Sequence, residues 1–182
     1  MKGVVFITLN EMVEKQYGIS VWEEILTKVN PASDGVYVST ENYPDEEIVG
    51  YVSVISDKLN LPTTEVTKLF GRYLFDELNK KMSFFSKQCE NLFDFLDSIE
   101  NVVHKEVRKL YEHSNLPTID CDIINQRQLN MTYYSTRKLC YLAEGLIQGA
   151  ADYYGDVIEL SHPKCMHHGD QNCLLEVARI HV

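Results

Sequence analysis

The sequence lacks any apolar run near the roughly 20 residues that a membrane-spanning helix needs. Its first residues, Met1-Lys2-Gly3-Val4-Val5-Phe6-Ile7, are briefly apolar but reach Asn10 and Glu11 too early for a secretory leader, so a cytoplasmic location is expected. Positive charge is also short: 17 Lys and Arg face 27 Asp and Glu, for a net charge of −10. Such a surface repels phosphate backbones and offers no basic face to a bilayer, so neither a nucleic-acid nor a membrane partner is expected. No nucleophile–base pair or catalytic carboxylate pair stands out, which predicts that the chain is not an enzyme. The five cysteines are odd in number and do not suggest a disulfide framework. There is no repeat, no low-complexity tract and no linker rich in Gly, Pro or Ser.

What is present suits a globular domain with a large core. Of 182 residues 45% are hydrophobic, and 11 Tyr, 7 Phe and 1 Trp supply aromatic surface for a core or for a flat apolar ligand. Residues 1 to about 114 read as helical. Ser20 caps a helix beginning near Ile19, with Glu23 and Glu24 in its first turn. Pro44-Asp45-Glu46-Glu47 and Leu61-Pro62-Thr63-Thr64-Glu65 open two more. The second carries Val66, Leu69, Phe70, Tyr73, Leu74 and Leu78 on one apolar face. Ser98 to Tyr111 is a helix with Ile99, Val102, Val103, Val107 and Leu110 inside and Lys105, Arg108, Lys109 and Glu112 outside; Pro117 stops it. Asp120–Gln126, Gln128–Arg137, Val157–Leu160 and Leu174–Ile180 read as strands, with a helix over Leu139–Tyr154. Helices followed by strand–strand–helix–strand–strand predict an α+β fold with an antiparallel sheet. Two lobes are expected, 1–60 helical and 61–182 mixed.

His104 lies on the edge of an apolar stripe beside Val107 and Tyr111. A metal ligand needs that placement: a neutral imidazole on a rigid element, aimed into an apolar space. His113 sits near a helix end, where a cation is favoured by the helix dipole, and His167, His168 and His181 read as exposed. Tyr133, Ser135 and Arg137 alternate, so on a strand they share a face. Two hydroxyls and a guanidinium suit a pair of carboxylates, because Arg forks onto one and the hydroxyls complete the shell. Cys140, His162, Cys165 and Cys173 make a separate constellation. Four N/S ligands with no open position fit tetrahedral structural Zn2+. Either His167 or His168 could replace His162, and spacing does not decide. Cys89 and Cys121 stand apart.

Together the Met-Lys-Gly start, His104 and Tyr133, Ser135 and Arg137 in that order resemble the haem nitric-oxide/oxygen-binding (H-NOX) family over the whole chain. The resemblance implies haem b between two lobes, His104 as proximal ligand, and Tyr133, Ser135 and Arg137 on the propionates. It implies that Pro117 and Val5 distort the haem, and that Leu9, Leu74, Leu142 and Leu146 line the distal pocket. Oxygen-binding members place a tyrosine where Leu142 stands. Without a donor, bound oxygen forgoes a hydrogen bond of about 1 kcal/mol or more. NO and CO binding is therefore expected, with little stable oxygen binding; Tyr73 and Tyr141, each one residue from a pocket position, are the residues that could alter this. Ligand binding would loosen the His104 bond, relax the haem and shift the N-terminal lobe.

The cysteine pattern resembles a bacterial, stand-alone, zinc-containing subset, and its thiolates could respond to redox conditions. No kinase or cyclase fits into 182 residues, so a separate partner is expected, a sensor histidine kinase or a cyclic-di-GMP enzyme. The alternative reading is a haem-free zinc-thiolate redox or small-molecule-binding module, akin to vinyl-reductase-type ligand domains. Those domains lack His104 combined with Tyr133, Ser135 and Arg137.

Overall fold

The computed structural model describes residues 1–111 and 114–180. The expectations for Glu112, His113 and His181 lie outside the described residues. The chain runs through α1 (Gly3–Tyr17), α2 (Ile19–Val29), α3 (Asp45–Leu59), α4 (Thr63–Lys81), α5 (Ser83–Lys87) and α6 (Leu92–Ser98). A π-helical stretch, Ile99–His104, leads into α7 (Lys105–Leu110). Then follow β1 (Thr118–Asn125), β2 (Gln128–Tyr134), α8 (Cys140–Tyr154), β3 (Ile158–Lys164), a 3-10 turn at Met166–His168 and β4 (Cys173–Arg179). This is the α+β arrangement read from the sequence, with one antiparallel sheet in the order β1-β2-β4-β3.

Two apolar cores form. Phe6, Leu9, Trp22, Ile25, Ile48, Tyr51, Val66, Phe70 and Leu74 fill the N-terminal one. Phe75, Leu92, Leu96, Leu129, Met131, Ile147, Leu175 and Val177 fill the other, between α6, α8 and the sheet. Helix α4 serves both, and this changes its reading. Val66, Phe70 and Leu74 are buried as expected, but so are Gly71 and Phe75 on a second face, while Leu69 is left exposed. Gly71 and Gly145 let α4 and α8 touch backbone to backbone. A Cβ on Gly145 would lie 2.1 Å from the Lys68 carbonyl oxygen.

Three local expectations are corrected. Ser20 makes no cap: α2 starts at Ile19 with Gly18 at the cap, and no side chain satisfies its amides. The segment after Ser98 is not one regular helix. Its π turn widens the spacing and rotates side chains off the 3.6-residue repeat, so Val102 is 41% and Leu110 72% exposed while Ile99 and Val103 pack on the C-terminal core. Strand β2 ends at Tyr134, so Ser135 and Arg137 belong to a turn and strand alternation does not align them. Lys138, in the left-handed region at φ 51°, closes that turn into α8.

Candidate functional site

His104 ends the π turn, with a side chain only 12% exposed. Its Nδ1 lies 3.0 Å from Oε2 of Glu100. That carboxylate also accepts from the Ile119 amide at 3.2 Å and, through Oε1, from Arg108 Nη2 at 2.6 Å. Burial acts to raise the Glu100 carboxyl, yet these donors hold it below the usual range. Burial lowers the His104 pKa, against the opposing pull of Glu100, which favours the neutral ring that a metal requires. Glu100 is not marked by residue type alone. The i, i+4, i+8 spacing of Glu100, His104 and Arg108 is the one signal of it in the sequence.

The Tyr133, Ser135 and Arg137 group is assembled by the turn. Tyr133 and Ser135 are buried, and Ser135 Oγ accepts the Arg137 amide at 3.2 Å. Burial pushes the Tyr133 hydroxyl up to about 12, so it remains a donor. The Arg137 guanidinium reaches the Asn115 carbonyl oxygen and lies 3.7 Å from Asp45 Oδ1. Its Nε is buried without a hydrogen-bond partner, an arrangement that suits an incoming carboxylate.

Arg137 stands at the edge of a cleft of about 510 Å³, also lined by Met1, Val5, Ile48, Val52, Phe70, Tyr141 and Leu142. That volume is within the ~300–1,000 Å³ of ordinary ligand sites. His104 does not line this cleft. Leu9 and Leu74 lie in the N-terminal core, with Val5, Leu142 and Leu146 packed against it. Pro117 is half-buried in the segment before β1. Tyr141 stacks on His167 at 5.3 Å and makes a T-shaped contact with His162 at 5.9 Å. Tyr73 lies under Lys15 Nζ at 5.6 Å.

The second constellation is tighter. Ligand atoms of Cys140, His162, Cys165 and Cys173 all lie within 4.8 Å of one another, and the three cysteines are buried. Cys140 Sγ is 3.9 Å from Cys165 Sγ, and the Met166 amide points at Cys173 Sγ from 3.3 Å. Burial raises the thiols of Cys140 and Cys173, and the neighbouring thiols raise Cys140 further. His162 brings its Nε2 in buried and unpartnered, while Nδ1 lies 2.7 Å from Glu144 Oε1. His167 is turned instead to the Lys138 carbonyl, at 2.8 Å. Helix α8 supplies Cys140, the irregularity in β3 supplies His162, and β4 supplies Cys173 opposite Tyr133. Glu144 and Asp170, whose Oδ2 accepts the Cys165 amide at 2.8 Å, were not anticipated. Cys89 and Cys121 lie apart from this cluster.

Residues 2–162 match a protein family described as Haem-NO-binding. The fold superposes on an H-NOX protein from S. oneidensis solved in the Fe(II)NO ligation state, with a TM-score of 0.93 and 37% identity over 100% of both chains. An H-NOX domain from Shewanella oneidensis in the Fe(II)CO state gives a TM-score of 0.90, also at 37% identity and with full coverage of both chains. Among curated proteins, the soluble guanylate cyclase gcy-35 of Caenorhabditis elegans is 24% identical over 162 residues, which is 83% of this chain. The chain spans about 22% of the length of that cyclase.

Proposed function

The chain belongs to the haem-NO-binding (H-NOX) family of haem-based gas sensors, and on that premise we propose that it senses nitric oxide and regulates a separate signalling protein. An H-NOX domain is a sensor and does not itself catalyse a reaction; the cyclase relatives are enzymes through other domains. When bound, haem b would supply a ferrous centre open to NO and CO. His104 would present Nε2 to the iron, its Nδ1 held by Glu100. Tyr133, Ser135 and Arg137 would receive the propionates. The observation that carries this reading is the buried, unpartnered Nε of Arg137, at the edge of a cleft lined by Val5, Phe70 and Leu142.

NO selectivity follows from side chains that give no hydrogen bond. Leu9, Leu74, Leu142 and Leu146 donate nothing; of the two nearby phenols, Tyr73 has its ring under Lys15, while Tyr141, which lines the cleft, stacks its ring on His167. Val5 and Pro117 would press on the haem, and release of His104 would let the lobe of residues 1–60 shift. The partner is a sensor histidine kinase or a cyclic-di-GMP enzyme, in a bacterial cytoplasm. No helix among the described residues is long and apolar enough to cross a membrane. The test is the absorption spectrum of reduced, haem-loaded protein. Distinct Soret shifts with NO and CO and no stable oxygen complex are expected, with the NO-dependent effect on the partner lost in His104→Ala. Failure to take up haem would overturn the reading.

Cys140, His162, Cys165 and Cys173 form a second site in this proposal, for a structural or redox-sensitive Zn2+. Three gathered sulfurs and one free imidazole nitrogen match the chemistry of a closed zinc site. The predicted metal content is one zinc per chain after exhaustive dialysis, absent from Cys165→Ser.

A further inference from the structure

We propose that Glu144 is a positioning residue for the zinc site, and that with Lys68 it ties that site to helix α4. The proposal rests on the zinc reading above. A histidine ligates through one ring nitrogen, and a hydrogen bond to the other fixes tautomer and ring direction. His162 has this arrangement before any metal is considered. Nδ1 donates to Glu144 Oε1 at 2.7 Å, which leaves the lone pair on Nε2; that atom is buried without a partner, on a residue that clusters with the three cysteines. Glu144 follows Cys140 by one helical turn on α8, so one helix presents both a thiol and the carboxylate that aims the imidazole.

The carboxylate is only 8% exposed, and a charge so placed needs a counter-charge. Lys68 Nζ of α4 provides it, 3.0 Å from Oε2. Lys68 is itself braced by Glu65 at 3.3 Å and lies 5.6 Å over the Tyr141 ring, which meets the His162 ring at 5.9 Å in a T-shaped contact. An ion pair serving only to hold α4 to α8 would be redundant, because Gly71 and Gly145 already bring the two backbones into contact. It would also not need a histidine on the remaining carboxylate oxygen. Helix α4 carries Phe70 and Leu74 of the N-terminal core. The chain His162–Glu144–Lys68 therefore leads from the thiol cluster to the helix beside the proposed haem pocket.

The experiment is zinc retention by the full chain in equilibrium dialysis against zinc-buffered chelator, with X-ray absorption at the zinc edge to detect imidazole. Glu144→Ala is expected to weaken zinc binding by roughly 10–100-fold, the usual effect of losing such a partner, and to diminish the imidazole signature. Glu144→Gln keeps an acceptor for Nδ1 and should restore most of the affinity. Lys68→Met should fall between wild type and Glu144→Ala. Wild-type affinity and imidazole signature in Glu144→Ala would overturn the positioning role while leaving the zinc site standing. A wild-type chain that retains no zinc would overturn both, and Cys165→Ser would then match it.

Discussion

Oε2 of Glu100 lies 3.0 Å from Nδ1 of His104, one helical repeat away, and the same carboxylate carries Arg108 and the amide of Ile119. The π turn is thereby tied to the first residues of β1, and the imidazole is held by its far nitrogen. Glu100→Ala should leave the ring free to turn and increase the rate of haem loss by roughly 10–100-fold. Transfer of haem to an excess of an apo-acceptor measures this; unchanged transfer would mean that the ring needs no such support.

The candidate residues were more legible than the geometry that assembles them. Side-chain type left His104 and Arg137 open to plain structural readings, and their order with Tyr133 and Ser135 in the family pattern made them candidates; Cys140, Cys165 and Cys173 with His162 stood out as a group. The helices were legible where an apolar face meets one neighbour. Periodicity misled at α4, which packs on two cores, and at Ile99–His104, where a π turn breaks the 3.6-residue repeat. Neither is a local property of the sequence. Ser135 and Arg137 read as strand because alternation cannot reveal a turn closed by Lys138 at positive φ. Glu144 was missed since burial of a carboxylate depends on Lys68 and His162, distant in sequence and adjacent only after folding.

Gly145 has no room for a methyl group. Its added Cβ would meet the Lys68 carbonyl at 2.1 Å and the Gly71 Cα at 2.8 Å, all backbone that cannot step aside. Gly145→Ala should therefore cost about 1–3 kcal/mol by forcing α4 and α8 apart, although alanine is the better helix former. Gly155→Ala, where the added atom meets nothing but φ is 74°, tests conformational strain without the clash. Urea unfolding of both variants separates the two causes. A Gly145→Ala chain as stable as wild type would refute the packing.

Cys121 offers a test by pH. Burial, helped by Asp97 and Asp120, pushes its thiol from the ordinary 9.0 up to about 12. The folded chain thus favours the protonated form, whose contribution is complete below about pH 9 and fades as pH rises toward 12. Cys121→Ala should show a shallower loss of stability than wild type across that window. At pH 8.5, alkylation of Cys121 followed by peptide mass spectrometry should be roughly 100-fold or more slower in folded than in urea-unfolded protein. Equal rates would show the thiol to be accessible and unshifted.

Glu47 is a carboxylate inside the N-terminal lobe, 9% exposed, and its Oε2 accepts from Ser33 Oγ at 2.8 Å and Tyr37 OH at 2.7 Å. Tyr37 OH also meets Tyr51 OH at 3.0 Å, and burial raises both phenols, so neutral hydroxyls remain available to donate. The Tyr37 ring stacks on Phe6 at 4.4 Å, next to the residues proposed to bear on the haem. Tyr37→Phe preserves that stack and removes one donor from a buried charge, which should cost about 1–3 kcal/mol. Glu47→Gln, combined with it, should recover part of the loss, because a neutral amide needs the donor less. The coupling measured by a double-mutant cycle in urea reports the hydroxyl–carboxylate interaction alone. Additive single effects would show that the carboxylate is satisfied without Tyr37.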